Sequence, residues 1–338
     1  MVISTALTKA LGIKIPVVQG GMMWIGLPKL VAAVSNAGGL GILTGLTQPT
    51  PDDLRRAIHE TRRLTSKPFG VNLTFLPSIN PPPYKDFAQV IIDEGVKICE
   101  TAGGPSAAPI IKMLRSAEVY VIHKCTSIRH AKSAVKLGAN MVSIDGFECA
   151  GHPGEDDIGG VVLLARAAQE LDVPFLASGG FANGRGLAGA LALGAAGINM
   201  GTAFMVMEEA EIHQNIKEAM LKADERDTIH IFRSLRNTAR VYKNAVAMET
   251  VRIENRPGGC EFKDIAHLVS GIRGKRVYDE GDIDAGIWTC GISVGLLKKI
   301  QSCESFLKEV ESEAEEVIGQ ISQMVTSEKP SRRYPSKL

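Results

Sequence analysis

His152 lies in Gly151-His152-Pro153-Gly154, a glycine-rich stretch with Asp145 upstream and Glu155, Asp156 and Asp157 downstream. An imidazole titrates near neutrality and so suits proton transfer, and a glycine loop lets it stand at the mouth of a site. A lone histidine is more often structural; here the loop and its acids favour a catalytic or substrate-orienting role. Lys124 follows the apolar run Val119 to Ile122, and a cation delivered that way can stabilise negative charge on an electron acceptor instead of standing solvated. Ser178-Gly179-Gly180 and Asn199-Met200-Gly201-Thr202 pair glycine with hydroxyl residues, a composition that lets backbone N–H groups approach a phosphate.

These groups are distant in sequence, so a scaffold must gather them. Short β-rich apolar runs recur, each followed by helical periodicity, the alternation of a parallel sheet covered by helices. Eight runs read as strands: Val17 to Gly21, Gly39 to Gly45, Pro68 to Thr74, Ile98 to Gly103, Val119 to Cys125, Met141 to Glu148, Pro174 to Gly180 and Gly197 to Phe204. Helical candidates include Pro28 to Ala37, Asp52 to Leu64, Ser127 to Leu137, Ile158 to Leu171 and Gly184 to Leu193, several closed by a glycine suited to a C-cap. Eight such units in roughly 200 residues predict an α/β fold, a closed (β/α)8 TIM barrel, over an open doubly wound sheet. Chemistry then gathers after each strand: Gly20 to Met23 after the first, Thr74 on the third, His123-Lys124-Cys125 on the fifth, Asp145 to Glu155 after the sixth. The two glycine loops follow strands seven and eight, where such barrels hold phosphate.

The loop Pro77 to Pro83 carries four prolines and reads equally as a semi-rigid flap over the site or as a spacer. Beyond Met207 the pattern turns mainly helical, with an amphipathic helix over Cys303 to Met324 (apolar at Phe306, Leu307, Val310, Ala314, Val317, Ile318, Ile321 and Met324). Glycines between Val269 and Gly295 suggest a connection reaching back across the barrel mouth. Arg233, Arg236 and Arg240, spaced by three and four, read as one helical face that pairs with acids or meets substrate. The chain thus divides into a barrel (residues 1–225), a mainly helical elaboration (226–326) and a flexible tail (327–338).

The 338 residues are 45% hydrophobic, enough for one large core, and 38 basic against 37 acidic residues leave no charge excess for a nucleic-acid or membrane-surface partner. A small-molecule substrate is expected, and oligomerisation stays open. No apolar run reaches the roughly 20 residues of a membrane span. Six dispersed cysteines without a CxxC pair, and no secretory leader, point to a reduced intracellular protein. The sequon at Asn72 falls in a predicted buried strand and is discarded. Ser336-Lys337-Leu338 matches the peroxisomal import address read by a receptor, so peroxisomal residence is expected, and otherwise cytoplasmic. Cys149 and His152 lack a second pair at ligand spacing, and no metal is expected; His123 and His130 read as structural. Arg185 and Gly186 stand where an ATP-binding P-loop needs Lys and Ser or Thr, and no GxGxxG follows the first strand.

The stretches Gln19 to Met22, Ala37 to Gly41, Gly70 to Thr74, Asp145 to Glu155 (DGFECAGHPGE), Ala177 to Gly180 and Asn199 to Thr202 resemble nitronate monooxygenases, in order and with barrel spacing, from about Thr5 to Gly295. The resemblance implies FMN as cofactor, contacted at Gly21, Met22, Met23, Thr74, Lys124, Asp145, Ala150, Gly151, Ser178, Gly179, Gly180, Gly201 and Thr202, with His152 as the catalytic histidine. It implies oxidation of an alkyl nitronate by O2 to a carbonyl compound and nitrite. The combination of His123 to Thr126, the proline loop, GHPGE and Arg236 to Val241 is also similar to an NADH:quinone reductase branch of the family, in which NADH is a co-substrate and a quinone the acceptor. The family's enoyl-acyl-carrier-protein reductase relative fits less well, because no basic surface for a carrier protein is identified. A non-catalytic flavin-binding barrel is the reading from another class.

Overall fold

The structure, a computed structural model, describes residues 3–75 and 81–325. Most of the proline loop, and the tail with its terminal Ser-Lys-Leu, lie outside the described residues; Pro83 directly precedes the helix Tyr84–Asp93.

Eight strands appear where the apolar runs place them: β1 (Val17–Gln19), β2 (Leu40–Thr44), β3 (Phe69–Phe75), β4 (Ile98–Gly103), β5 (Tyr120–Cys125), β6 (Met141–Asp145), β7 (Phe175–Ser178) and β8 (Ile198–Met200). All neighbours are parallel and β8 pairs with β1, closing the barrel. Strand ends fall short of the apolar runs because the glycines after them turn the chain: the eighth run passes at Gly201 into the helix Thr202–Met205.

Side chains alternate across the wall with the two-residue strand period. Outward residues such as Val71, Val121 and Val142 pack beneath the helices. Inward residues form layers. Val18, Leu40, Ile42, Ile98, Ile122, Met141 and Leu176 fill the lower barrel. Above them Asn72, Glu100, Ser143 and Asn199 form a buried polar layer, and toward the C-terminal strand ends come Thr74, Lys124, Asp145 and Ser178. This arrangement closes the barrel as a packed core and leaves its C-terminal end as the chemical face.

After the barrel the expected helices form, at Gln214–Lys222, Ala245–Glu254, Phe262–Val269, Gly271–Glu280 and Cys303–Gln323. The last lies across the helices Gly184–Ala192 and Pro28–Asn36, burying Phe306, Leu307, Val310, Ala314 and Val317; Ile318, Ile321 and Met324 are exposed, so the apolar stripe outruns the surface it covers. One feature differs from the helical expectation. β9 (Thr228–Ile231) and β10 (Ala239–Tyr242) form an antiparallel hairpin. Arg233, Arg236 and Arg240 therefore share no helical face: Arg240 is on β10, while Arg233 and Arg236 stand in the connecting turn. The alternation Thr228-Ile229-His230-Ile231 and Ala239-Arg240-Val241-Tyr242, half apolar and β-branched, outweighs the three-and-four spacing of the arginines.

Candidate active site

Glu100 anchors the barrel's upper half. Its carboxylate accepts from Gly21 N–H at 2.9 Å and Asn72 Nδ2 at 2.8 Å through one oxygen, and from Asn199 Nδ2 at 2.8 Å through the other. These bonds tie β1, β3, β4 and β8 around one fully buried charge. Glu100 is not among the residues expected at the site, and its one signal in the sequence is an acid in the middle of the strand Ile98-Cys99-Glu100-Thr101.

The turn after β1 is fixed by Thr44, whose hydroxyl accepts from Met22 N–H and donates to Met22 C=O, both at 2.9 Å. Gly20 and Gly21 admit no side chain, since a Cβ would lie 2.4 Å from Asn199 Oδ1 in the first case and from Asn72 Cγ in the second. Met22 is half-buried and Met23 exposed at the mouth. Thr74 is half-buried and donates to Asn72 Oδ1 at 3.0 Å.

Lys124 Nζ stands 3.6 Å from Asp145 Oδ1. That separation gives attraction without a good hydrogen bond, and Asp145 Oδ1 is buried with no hydrogen-bond partner. Burial pushes the Asp145 carboxyl up, against the Lys124 ammonium that pulls it down. Burial alone would lower the Lys124 ammonium, but the Asp145 and Glu100 carboxylates outweigh it and raise it. Lys124 is therefore a permanent cation at the mouth, and Asp145 keeps an acceptor that a ligand N–H could satisfy.

The glycine loops leave adjacent strand ends, as Ser178 pairs with Asn199 in the sheet register. Gly179 and Gly180 have φ of +84° and +86°, and a Cβ on Gly179 would stand 2.9 Å from Cys149 N. Only glycine fits, and it bares the backbone to a ligand. The nearby helix Gly184–Ala192 cannot serve a phosphate, because its Gly184 and Arg185 N–H groups already donate to Glu313 at 2.8 and 3.1 Å. The cradle narrows to Gly179, Gly180, Gly201 and Thr202; the Thr202 hydroxyl accepts from Gly291 N–H at 3.0 Å, which brings the returning glycine-rich connection to the mouth.

His152 is exposed on the loop after β6. The surrounding protein holds its imidazole below the ordinary value, with Glu155 pulling the other way, so the ring is uncharged near neutrality. The hairpin pins this loop. Gly151 and Arg240 exchange backbone hydrogen bonds at 3.1 and 2.6 Å. The buried Arg240 guanidinium donates to Phe147 C=O at 2.9 Å and to Thr228 Oγ1 at 3.0 Å, and lies 4.6 Å from the Phe147 ring centroid. Glu155 accepts from the Thr238 N–H at 2.8 Å and hydroxyl at 2.6 Å, and Asp157 pairs with Arg233 at 2.8 Å. Of the acids flanking His152, Glu155 and Asp157 thus anchor its loop, a role the sequence did not disclose.

All the residues singled out from the sequence as cofactor contacts, with Ala150 and Gly151 beside His152, lie at the C-terminal ends of β1, β3, β5, β6, β7 and β8. His123 and His130 belong elsewhere, on the outer side of the wall. Cys149 is buried, and burial raises its thiol far above the ordinary range, which leaves it inert.

A closed parallel barrel that gathers a half-buried cation beside a buried carboxylate, a glycine cradle and an exposed imidazole at one end has the layout of a barrel with its site on the C-terminal face. The chain belongs to the nitronate monooxygenase family, which it matches over residues 4–313. It is 41% identical over 224 residues to (3aS,4S,5R,7aS)-5-hydroxy-7a-methyl-1-oxo-octahydro-1H-indene-4-carboxyl-CoA dehydrogenase of Rhodococcus jostii (strain RHA1), a match covering 66% of this chain and 61% of that protein, so the chain spans about three fifths of that relative's length. It is 31% identical over 270 residues to a probable nitronate monooxygenase of Staphylococcus saprophyticus, covering 68% of this chain and 76% of that one. FabK from Thermotoga maritima superposes with a TM-score of 0.88 at 34% identity, over 96% of this chain and all of that one. Enzymes of the family are typically flavin-dependent.

Proposed function

We propose that this chain binds FMN at the barrel mouth and oxidises alkyl nitronates with O2 to carbonyl compounds and nitrite. The observation that carries the reading is the exposed, uncharged His152 on a loop fastened at both ends, at the same mouth as the half-buried Lys124 and its buried partner Asp145. The residues fit a flavin mononucleotide on two counts: the Gly179–Gly180 and Gly201–Thr202 cradle, where left-handed φ and close packing of Gly179 on Cys149 leave bare backbone, and the unpartnered Asp145 Oδ1, an acceptor for a ring N–H. FMN, when bound, supplies the electron-accepting ring system.

The chain's own groups do the rest. Gly179, Gly180, Gly201 and Thr202 hold the phosphate through backbone N–H groups. Lys124, kept protonated by two carboxylates, favours negative charge beside it. His152 donates a hydrogen bond to a nitronate oxygen, and with a neutral nitroalkane its free ring nitrogen takes the α-proton. Gly21, Met22, Met23 and Ala150 wall the site and limit water.

A second reading, reduction by NADH with a quinone acceptor, keeps the same residues; the 41% likeness to a dehydrogenase favours keeping it in view. Anaerobic rapid mixing of the purified protein with an alkyl nitronate, and separately with NADH, decides between them through the oxidised flavin absorbance. Bleaching by nitronate with NADH inert is the expected result; bleaching by NADH alone moves the chain to the reductase reading, and a colourless protein removes both.

A further inference from the structure

Behind Lys124, on the outer wall of the barrel, three side chains with metal-binding atoms meet. His123 and Cys125 leave the outer side of β5, and His130 reaches them from the first turn of the following helix, Ile128–Lys136. Their ligating atoms all lie within 4.8 Å of one another. His123 Nε2 is 3.2 Å from His130 Nε2, with the rings crossed at 79°. Two imidazole nitrogens on a zinc tetrahedron, each roughly 2.0–2.1 Å from the ion, stand about 3.3 Å apart. The pair already has that spacing. Cys125 Sγ makes only a weak contact with His123 C=O at 3.6 Å and lies within 4.8 Å of a ring nitrogen of each histidine.

The surroundings argue against simple packing. This layer between strands and helices is otherwise filled by Cys99, Val121, Val142 and Ile144, and two imidazoles carry a desolvation cost there that an apolar residue would not. The second ring nitrogen of His123 is also oriented: Thr101 Oγ1 lies 2.8 Å from Nδ1. In the tautomer in which Nδ1–H donates to that hydroxyl, Nε2 presents its lone pair to the gap between the rings, the support by which a metal-ligating histidine is held; the Gly103 carbonyl accepts from the same pair of rings. His123 and Cys125 are buried while His130 is half-buried, which leaves one route in for an ion.

We propose that His123, Cys125 and His130 bind one divalent transition-metal ion of the zinc type, with water in the fourth position on the His130 side. Binding releases the Cys125 thiol proton to solvent and forms one metal–thiolate and two metal–imidazole bonds. The ion ties the end of β5 to its helix. Lys124 lies between two of the ligands in sequence and faces the opposite side of the wall, so the site also fixes the strand end that presents Lys124 to the mouth. The expectation of no metal rested on pairs counted around Cys149 and His152; the third ligand here arrives through the turn from β5 into its helix.

The test uses the full chain as purified, stripped with a chelator and titrated with Zn2+ against a chromophoric competitor, then with Co2+. One ion per chain is expected, and cobalt should give tetrahedral visible bands to the red of flavin absorption with a thiolate charge-transfer band. His130→Gln and Cys125→Ser should each weaken zinc binding by about 100-fold or more. His130→Gln is the safer variant for folding and should leave the far-ultraviolet circular dichroism unchanged. A wild-type chain that takes up no stoichiometric zinc overturns the proposal, as does equal uptake by folded His130→Gln; the two imidazoles then share an N–H···N hydrogen bond.

Discussion

His152 joins two properties seldom found together, exposure at the mouth and a pKa held below the ordinary 6.5. The consequence is a base that stays free to somewhat lower pH than an ordinary imidazole does. For a neutral nitroalkane substrate, kcat/KM should rise with pH through a pKa below about 6.5 and stay level above it, because only the free ring accepts the α-proton. A rising limb centred above 7 would assign the base to another group. His152→Ala should keep its flavin and lose about 100-fold in kcat with nitroalkanes. Less loss with preformed nitronates is expected, since no proton then needs removal; equal kinetics for variant and wild type on both substrates would return His152 to a structural role.

At the scale of elements, the hairpin and the glycine loops govern the site. β10 holds the His152 loop by a two-bond ladder from Arg240 to Gly151, and the Arg240 guanidinium locks Phe147 from the side. Arg240→Ala removes a buried charged donor from a carbonyl and a hydroxyl, costing about 2–4 kcal/mol in stability. Loosening the loop should lower kcat more than it raises KM for nitronate. Arg240→Lys should recover little, because an ammonium lacks the fork that meets Phe147 C=O and Thr228 Oγ1 at once. Gly179→Ala meets both a left-handed φ and Cys149 at 2.9 Å. Its expected signature is tenfold or greater loss of FMN affinity, corresponding to roughly 1–3 kcal/mol of strain at the cradle, read as flavin retained after gel filtration. Full retention would place the phosphate elsewhere.

Across the whole molecule, one buried carboxylate holds the ring of strands together. Glu100 satisfies donors from β1, β3 and β8, so Glu100→Gln turns an acceptor into an NH2 group facing other N–H donors. About 2–5 kcal/mol of stability should be lost in urea unfolding, together with a weaker Lys124–Asp145 arrangement, since Glu100 contributes to the charge environment of both. A change under about 0.5 kcal/mol would mean that water replaces the lost acceptor.

The barrel, its strand order and the mouth residues were legible in the chain because they rest on local signals. Strand periodicity marks which side chains face inward, and glycines after strands mark where the backbone must turn or come close to a ligand. Thr74, Lys124, Asp145 and Ser178 all fall near the C-terminal ends of their strands for that reason. What tertiary structure decided depends on partners far apart in sequence. Glu100 became a hub only when β1, β3 and β8 closed around it, and the helix end after β7 was withdrawn from phosphate duty by Glu313, 129 residues from Gly184. The arginines that read as a helical face became a turn and a strand edge, because β-pairing with Thr228–Ile231 outweighs a helical spacing made by charged residues alone. His123, Cys125 and His130 likewise carry no joint meaning until the wall of the barrel turns two of them outward and the next helix folds back with the third.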